Sequence, residues 1–123
     1  MIQITVISAE AKREESAIIK KQLEERLARE KEIVDKRVAE LVPNILEHCT
    51  NLLNHTKTAD NRMVAEFFIF DKFFKDVPIE EIDKAFATVK ELLNIAGYKV
   101  TYYIYSKSWQ TRSKKLGYID MRW

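Results

Sequence analysis

The apolar positions of residues 19–52 recur in steps of three, four or seven, the spacing of one helix face. Allowing one missed turn, the mean period is about 3.67 residues, close to the 3.6 of an α-helix. Eighteen of residues 10–40 are charged. The pattern predicts a long amphipathic helix with one narrow apolar stripe, which kinks or restarts at Pro43 because proline lacks an amide proton. The apolar stripe consists of Ile19, Leu23, Leu27, Val34, Val38, Leu41, Ile45, Cys49 and Leu52.

A second, shorter helix is predicted for residues 78–97. Pro78 is suited to a first helical position, and Glu80 and Glu81 place negative charge in the first turn, where the helix dipole favours it. Gly97 is expected at the C′ position that follows the helix. The buried stripe of this helix is expected to be Ile82, Phe86, Val89 and Leu93.

Four segments have the composition or the alternation of β-strands. Residues 2–7 alternate apolar and polar side chains, and residues 63–70 (MVAEFFIF) are apolar on both faces except for one glutamate, which favours a central strand. Residues 98–105 (YKVTYYIY) and 116–123 (LGYIDMRW) are the third and fourth predicted strands. Residues 106–115 are expected to form a polar, basic hairpin loop between them.

The predicted order is β-α-α-β-α-β-β in a single domain, residues 1–123. We expect an α/β (α+β) sandwich with a mixed four-stranded sheet, in which the β-α-β portion gives parallel neighbours and the last two strands form an antiparallel hairpin. A helix of about 33 residues is about 50 Å long, whereas a domain of this size has a radius of gyration of ~14 Å. The long helix is therefore expected to protrude and to pair with a second copy, giving a homodimer or higher oligomer.

Charge is concentrated near the C-terminal end of the sequence. The net charge of the chain is only +2, although 33% of its residues are charged. Residues 99–123 carry six basic residues and one acid, a balance of +5, so the remaining residues sum to −3. This distribution argues against a protein coated in nucleic acid and favours a site for one anionic ligand. The six are Lys99, Lys107, Arg112, Lys114, Lys115 and Arg122.

The motifs of several enzyme classes do not occur in this sequence. With two glycines, it cannot form a glycine-rich phosphate loop, a dinucleotide-binding fingerprint or a nucleophile elbow. His48 and His55 could share a helix face, but the usual spacing of zinc ligands is not met. Cys49 continues the apolar stripe and is expected in the core. We therefore expect no metal, no cofactor and no catalysis.

Cysteine usage and the N-terminal residues bear on location. A single cysteine excludes a disulfide within the chain and fits a reducing compartment. Residues 1–8 lack the basic and apolar regions of a signal peptide. No stretch approaches the ~20 apolar residues that a membrane span requires. We expect a soluble, cytoplasmic protein.

Strand alternation assigns the residues of the fourth strand to two faces. The face with Ile119 and Met121 belongs in the core, and the face with Tyr118 and Asp120 is expected to be solvated. The core-facing residues are expected to be Gly117, Ile119, Met121 and Trp123. The solvated residues are expected to be Tyr118, Asp120 and Arg122.

Aromatic and basic side chains are expected to converge beside the solvated face. Aromatic planes and guanidinium groups are what a nucleobase and its phosphate require. The alternative is a solvated sheet face with a basic loop and no ligand. The candidate phosphate ligands are Arg112, Lys114, Lys115 and Arg122. The candidate stacking residues are Trp109, Tyr103 and Tyr105, with Tyr118 beside them.

Both ends of the chain resemble small accessory proteins of tailed phages. ISAEAKR reads as a strand followed at once by a helix that Ser8 caps, with Lys12 and Arg13 in its first turns. LLNIAGYKVTYYIY and GYIDMRW match the other end. Some oligomeric phage proteins are sponges that sequester the nucleotide second messengers of bacterial abortive immunity. The resemblance implies a phage setting and admits that role, with the helix start at Lys12 and Arg13 favouring an anion.

These observations favour a non-enzymatic, oligomeric protein that sequesters an anionic, nucleotide-derived small molecule. The alternative is a protein–protein module, either an inhibitor of a host enzyme or a virion component, with Trp109 and Arg112 as interface anchors. Nucleic-acid binding is a third interpretation, weakened because only the C-terminal part is basic.

Overall fold

A computed structural model describes residues 5–123 and contains, within them, three α-helices, one 3-10 turn and a three-stranded sheet. The chain divides into an N-terminal unit that ends at Asp35 and a C-terminal unit, Lys36–Trp123. The elements are helix α1 (Ala9–His55), strand β1 (Arg62–Phe68), the 3-10 turn (Lys72–Phe74), helix α2 (Ile79–Ile95), strand β2 (Lys99–Ile104), helix α3 (Lys107–Ser113) and strand β3 (Lys115–Arg122).

The N-terminal unit contains the first part of helix α1. Ser8 caps the helix as predicted, because its Oγ accepts the Ala11 N–H at 3.2 Å and its carbonyl oxygen accepts the Lys12 N–H at 3.1 Å. No described residue before Lys36 is buried. Of the predicted first strand, residues 2–4 lie outside the described residues, and residues 5–7 are not in a strand.

Helix α1 is continuous through Pro43, so the expected restart at this proline is wrong. Pro43 costs the helix one backbone hydrogen bond, but Leu41 and Ile45 on either side of it are buried in the core. Their packing stabilises the helical turns on either side of the proline. The helix also extends to His55, into residues 51–62, a stretch (NLLNHTKTADNR) whose polar composition predicts a loop.

Strand β3 is the central strand, and it runs antiparallel to both β1 and β2. The predicted antiparallel hairpin of the last two strands is confirmed. Strands β1 and β2 are parallel to each other, but they are not neighbours because β3 lies between them. The prediction of a mixed sheet with parallel neighbours and a central strand at residues 63–70 is therefore wrong: the described sheet has three strands, and both of its ladders are antiparallel.

Helices α1 and α2 form the core with one face of this sheet. The predicted stripe of α2 is buried as expected, and the C-terminal part of the apolar stripe of α1 packs in the same core. The helical core residues are Leu41, Ile45, Cys49, Ile82, Ala85, Phe86, Val89 and Leu93, and the strand residues are Ala65, Phe67, Val100, Leu116, Ile119 and Met121.

The opposite sheet face carries the alternate residues of each strand, and we call it the open face. Its residues form three rows across the strands in the order β1, β3, β2. The rows are Arg62, Arg122 and Lys99; Val64, Asp120 and Thr101; and Glu66, Tyr118 and Tyr103.

An ion pair between a half-exposed arginine and a buried glutamate joins α1 to α2. The Oε1 of Glu81 lies 2.7 Å from Nη2 of Arg37, and Glu81 is buried in the first turn of α2. At the other end of α2, Gly97 adopts a φ of 104° at C′, as predicted. The Gly97 N–H donates to Asn94 O at 3.0 Å and the Tyr98 N–H to Leu93 O at 3.1 Å, the two bonds of a Schellman cap.

The connection between β2 and β3 is a short helix and not the predicted loop. Ser106 caps α3, Lys114 ends it in the left-handed region with a φ of 63°, and the buried Gln110 side chain donates its Nε2–H to Tyr105 O at 2.8 Å. Trp123 is also misplaced by the sequence prediction. It lies beyond β3, half exposed, with its ring edge-on to Tyr98 at 5.9 Å.

The close approach of β2 and β3 gives a stability prediction. A Cβ at Gly117 would collide with the carbonyl oxygen of Tyr103, which is backbone and cannot rotate aside. Gly117→Ala should therefore lower the free energy of unfolding by about 1–3 kcal/mol, measured by thermal or urea unfolding. Thr101→Ala, an exposed change on the neighbouring strand, is the control. Equal stability of the two variants would contradict the observed strand register.

Candidate functional site

Three tyrosines and one tryptophan form a continuous cluster at one end of the open face. The ring centroids of Tyr103 and Tyr118 lie 6.1 Å apart with planes inclined by 27°. Tyr105 lies 5.4 Å from Tyr103 and 6.0 Å from Tyr118, and Trp109 lies 6.3 Å from Tyr105. These separations are typical of interacting aromatic pairs. The structure thus brings together the four residues that the sequence predicted would lie side by side, and we call them the aromatic cluster.

Strand register positions the tyrosines of the aromatic cluster. Tyr103 and Tyr118 are direct partners in the β2–β3 ladder, so both side chains stand on the open face. Tyr105 follows Tyr103 by two residues and keeps the same orientation at the end of β2. The Tyr105 N–H donates to Leu116 O at 3.0 Å, which continues the pairing past the last residue of the strand.

Helix α3 positions Trp109 over the end of β2. The Trp109 N–H donates to the Oγ of Ser106 at 3.4 Å, so the tryptophan lies in the first turn of a capped helix. The Gln110 side chain, buried on the other side of α3, ties the helix to the Tyr105 carbonyl. These contacts hold the indole beside the Tyr105 ring.

An open pocket of about 460 Å³ lies against the aromatic cluster. Its volume falls within the ~300–1,000 Å³ of small-molecule sites. Tyr103 remains 53% exposed and Trp109 45% exposed, so both aromatic surfaces are available to a ligand. The lining residues are Tyr103, Tyr105, Ser106, Trp109 and Lys115.

Three of the predicted phosphate ligands belong to α3 or its junction with β3. Lys115 lines the pocket, and its Nζ lies 3.4 Å from Oε1 of Glu66. Arg112 is exposed one helical turn after Trp109, a spacing that makes the two side chains neighbours on the helix surface. Lys114 is exposed at the C-cap of α3. Positive charge therefore surrounds the α3 side of the pocket.

Arg122 does not join this group. It lies four residues from Tyr118 along β3, a separation of about 13 Å, and its Nη2 is 3.5 Å from Oδ2 of Asp120. Lys12 and Arg13, the other predicted anion ligands, are exposed on α1 in the N-terminal unit, where Lys12 pairs with Glu15 at 3.3 Å. The aromatic cluster is built from the C-terminal unit alone.

Asp120 is buried, so the expectation that it is solvated is wrong. Only 5% of its surface is exposed, because two guanidinium groups lie over the carboxylate. Arg62 donates to it through Nε at 3.2 Å and Nη2 at 2.8 Å, and Arg122 donates at 3.5 Å. Burial raises the pKa of Asp120, but the hydrogen bonds and charges of Arg62 and Arg122 outweigh it and hold the pKa below its usual value.

Arg62, Val64 and Glu66 are open-face residues that the sequence analysis did not place. Strand alternation groups these three on one side of β1, and this signal was available from the sequence. Their place in the rows of the open face depends on the pairing of β1 with β3, which joins segments far apart in the sequence and leaves no local signal.

His48 and Cys49 have structural roles in the C-terminal unit. The Nε2 of His48 lies 3.1 Å from Glu66 O. Because a carbonyl oxygen only accepts, the tautomer with the proton on Nε2 makes this hydrogen bond. The His48 ring packs edge-on against Phe67, with the ring centroids 4.9 Å apart. Cys49 is fully buried, and burial raises the pKa of its thiol to about 12, so the thiol stays protonated at neutral pH. Over residues 5–123, no group of three or more metal-binding side chains occurs.

The ion pairs of Asp120 predict a dependence of stability on pH. Because its folded-state pKa is depressed, its stabilisation is present above the unfolded pKa of about 4 and is lost as the pH falls through the folded value. Asp120→Asn should therefore lower the free energy of unfolding by about 1.5–3 kcal/mol at pH 7. The difference in free energy of unfolding between the variant and wild type should become smaller as the pH falls. Urea unfolding between neutral and acid pH tests this, with the exposed Asp60→Asn as the control. A difference that does not change with pH would contradict the assignment.

In the part of the chain that the structure covers, no helix is long and apolar enough to cross a membrane.

Comparisons with known protein families, curated proteins and solved structures give no match to this chain. The chemistry of the site must therefore be inferred from its own geometry, namely the solvent-facing aromatic cluster with Lys115 in the pocket wall and Arg112 on the adjoining helix.

Proposed function

We propose that this protein binds an anionic small molecule that carries a nucleobase and holds it without transforming it. The base would stack on the aromatic cluster, and the phosphate would contact the basic residues around α3. The observation that carries the proposal is the open pocket at the aromatic cluster, which combines exposed faces of Tyr103 and Trp109 with the ammonium group of Lys115. Stacking on aromatic side chains contributes about 1–3 kcal/mol per base.

The charges around the pocket support an anionic ligand. Residues 106–115 contain four basic residues and no acid. Glu66, across β3, is paired with Lys115, which reduces its effect on an approaching anion. The remaining cations on α3 and at its cap attract phosphate from solution and act most strongly at low ionic strength.

The pocket lining supports retention of a ligand more than its conversion. The lining offers aromatic surfaces, the hydroxyl groups of Ser106 and of two tyrosines, and one ammonium group. The hydroxyl of Ser106 already accepts a hydrogen bond as the cap of α3. These groups can stack on a base and neutralise a phosphate, which is the set that a sequestering protein needs.

Two further observations support a proposal for the biological setting and the cellular location. The single cysteine is fully buried, which fits a reducing compartment, and we place the protein in the cytoplasm. In its most specific form the proposal is a phage sponge for a nucleotide second messenger. The resemblance at both ends of the chain suggests this form, and the chemistry of the pocket is compatible with it.

A protein partner is the alternative occupant of this surface. The Phe68 and Phe70 rings stack at 5.2 Å, and Phe70 is largely exposed beyond the end of β1. Phe68 is the register partner of Lys115, so this aromatic pair extends the apolar surface past the pocket. Such an extension favours a protein interface, for a host enzyme or a virion component, over a small ligand alone.

Three variants test the proposed ligand chemistry by calorimetric titration with cyclic nucleotides and ADP-ribose derivatives. Trp109→Ala should weaken binding by about 1–3 kcal/mol through lost stacking and leave phosphate-only competitors unaffected. Arg112→Glu should weaken it about ten- to hundredfold, because a charge-assisted contact is replaced by repulsion. Lys31→Glu, on the N-terminal unit, is the charge-reversal control and should change little. If none of these ligands binds wild type below about 100 μM, roughly −5.5 kcal/mol, the proposal fails.

A further inference from the structure

We infer that the ligand contains at least two nucleotide units joined by phosphodiester groups, an inference that rests on the proposed function. The open face carries a second anion-binding surface at the end away from the aromatic cluster. We call it the basic row. It consists of Arg62, Arg122 and Lys99, which are partners across the three strands.

The basic row has an excess of positive charge held in fixed positions. Two of its three cations, Arg62 and Arg122, contact the carboxylate of Asp120, so the three cations and this carboxylate together keep a net charge of +2. Asp120 takes two hydrogen bonds from Arg62 through Nε and Nη2 and one from Nη2 of Arg122. Within residues 5–123, Nη1 of neither guanidinium has a hydrogen-bond partner, so both can bind a ligand. The buried carboxylate thus orients two arginines on the open face, which lowers the entropic cost of binding a phosphate.

The arginines of the basic row partly cover the row that separates it from the aromatic cluster. The intervening row consists of Val64, Asp120 and Thr101, of which Asp120 is buried and the other two have short side chains. The guanidinium groups of Arg62 and Arg122 lie over Asp120 in this row, so the basic row reaches toward the aromatic cluster. The width of three strands, at about 4.8 Å between neighbours, accommodates an extended sugar–phosphate chain.

The separation of the two sites sets the minimum size of the ligand. From Tyr103 to Lys99, and equally from Tyr118 to Arg122, four residues of strand cover about 13 Å. A single phosphate cannot contact both Lys115 and the basic row, because Lys115 and Arg122 lie on opposite sides of Tyr118 along β3. A second nucleotide unit spans that distance and places a phosphate among the cations.

The test compares thymidine monophosphate, dithymidylate, hexathymidylate and a cyclic dinucleotide by calorimetry at one ionic strength. Dithymidylate should bind at least tenfold more tightly than the monophosphate. Lys99→Glu should remove that gain and leave binding of the monophosphate unchanged, whereas Trp109→Ala should weaken every ligand. Lys99 is the residue to change because Arg62 and Arg122 also neutralise Asp120. Lys84→Glu, on the exposed side of α2, is the matched control.

The outcomes separate this inference from the proposed function. Equal affinities for the mono- and dinucleotide, with no effect of Lys99→Glu, overturn the inference and leave the proposed function intact. Failure of all four ligands to bind overturns both. If hexathymidylate binds much more tightly than either dinucleotide, the inference is supported and the ligand is a single strand of nucleic acid. If a dinucleotide binds as tightly as hexathymidylate or more tightly, the inference is supported and the ligand is a small oligonucleotide.

A separate observation concerns the N-terminal unit, whose part of the apolar stripe is exposed. We propose that this part pairs with the same stripe of a second copy of the chain. Ile19, Leu23 and Leu27 are 57%, 46% and 52% exposed. The stripe repeats every eleven residues, since Leu23 is followed by Val34 and Ile45, and the equivalent stripe residues of the C-terminal unit are buried in its core. The same apolar stripe is thus buried in the C-terminal unit and exposed in the N-terminal unit.

The charges of the N-terminal unit favour a second copy as the partner. Residues 9–35 contain eight acidic and seven basic residues with the two signs interspersed, so two copies approach without net repulsion. The helix in this range is about 40 Å long, which gives two copies matched stripes of equal length. Without a partner, most of the stabilisation that packing gives to an amphipathic helix is missing here.

Sedimentation equilibrium of the full chain tests the pairing. The wild type should have twice the 14.5 kDa chain mass at tens of micromolar, and its helical circular dichroism should fall on dilution. Leu27→Lys with Val34→Lys should weaken association more than tenfold. Glu25→Gln with Glu32→Gln, on the opposite helix face and with the same change of net charge, should have little effect. A monomeric wild type, or equal weakening by both double variants, overturns the proposal. An unchanged thermal transition of the core shows that the first double variant remains folded.

Discussion

The pairing of β3 with both of its neighbours is the constraint on which the rest of this structure depends. Because β3 is central, its alternate residues must serve two surfaces. Ile119 and Met121 complete the core beneath α1 and α2. Tyr118 and Asp120 face the other way and connect the residues of β1 to those of β2. A shift of this register by one residue would place the charged side chains in the core and the apolar ones in solvent.

The same strand explains why two kinds of surface occur on the open face. At the end near α3, Tyr118 joins Tyr103 across the ladder, and α3 adds Trp109 from above. At the other end, Asp120 is buried by the guanidiniums of Arg62 and Arg122, so a single carboxylate orients two cations. The aromatic surface and the charged surface are thus held by one rigid element. This arrangement suits a ligand that has both a base and phosphates.

Local patterns were sufficient to predict several of these features. Alternation placed Tyr103 and Tyr118 on one face, and Gly97 was identified as the residue that follows α2. Features set by distant contacts were not predicted. The insertion of β3 between β1 and β2 depends on the free energy of the whole core, and the partner of Asp120 lies 58 residues away. Helix α3 was missed because its short sequence has no apolar stripe, and its one buried side chain is the polar Gln110.

The central claim is that the aromatic cluster binds a nucleobase, and nuclear magnetic resonance tests it most directly. Titration of isotopically labelled protein with a nucleoside monophosphate should shift the resonances of Tyr103, Trp109 and Tyr118. Nuclear Overhauser effects should connect the base protons to the Trp109 indole and the tyrosine rings, which are exposed at the pocket. Shifts confined to α2 or to the N-terminal unit, or no shifts at millimolar ligand, would contradict the account.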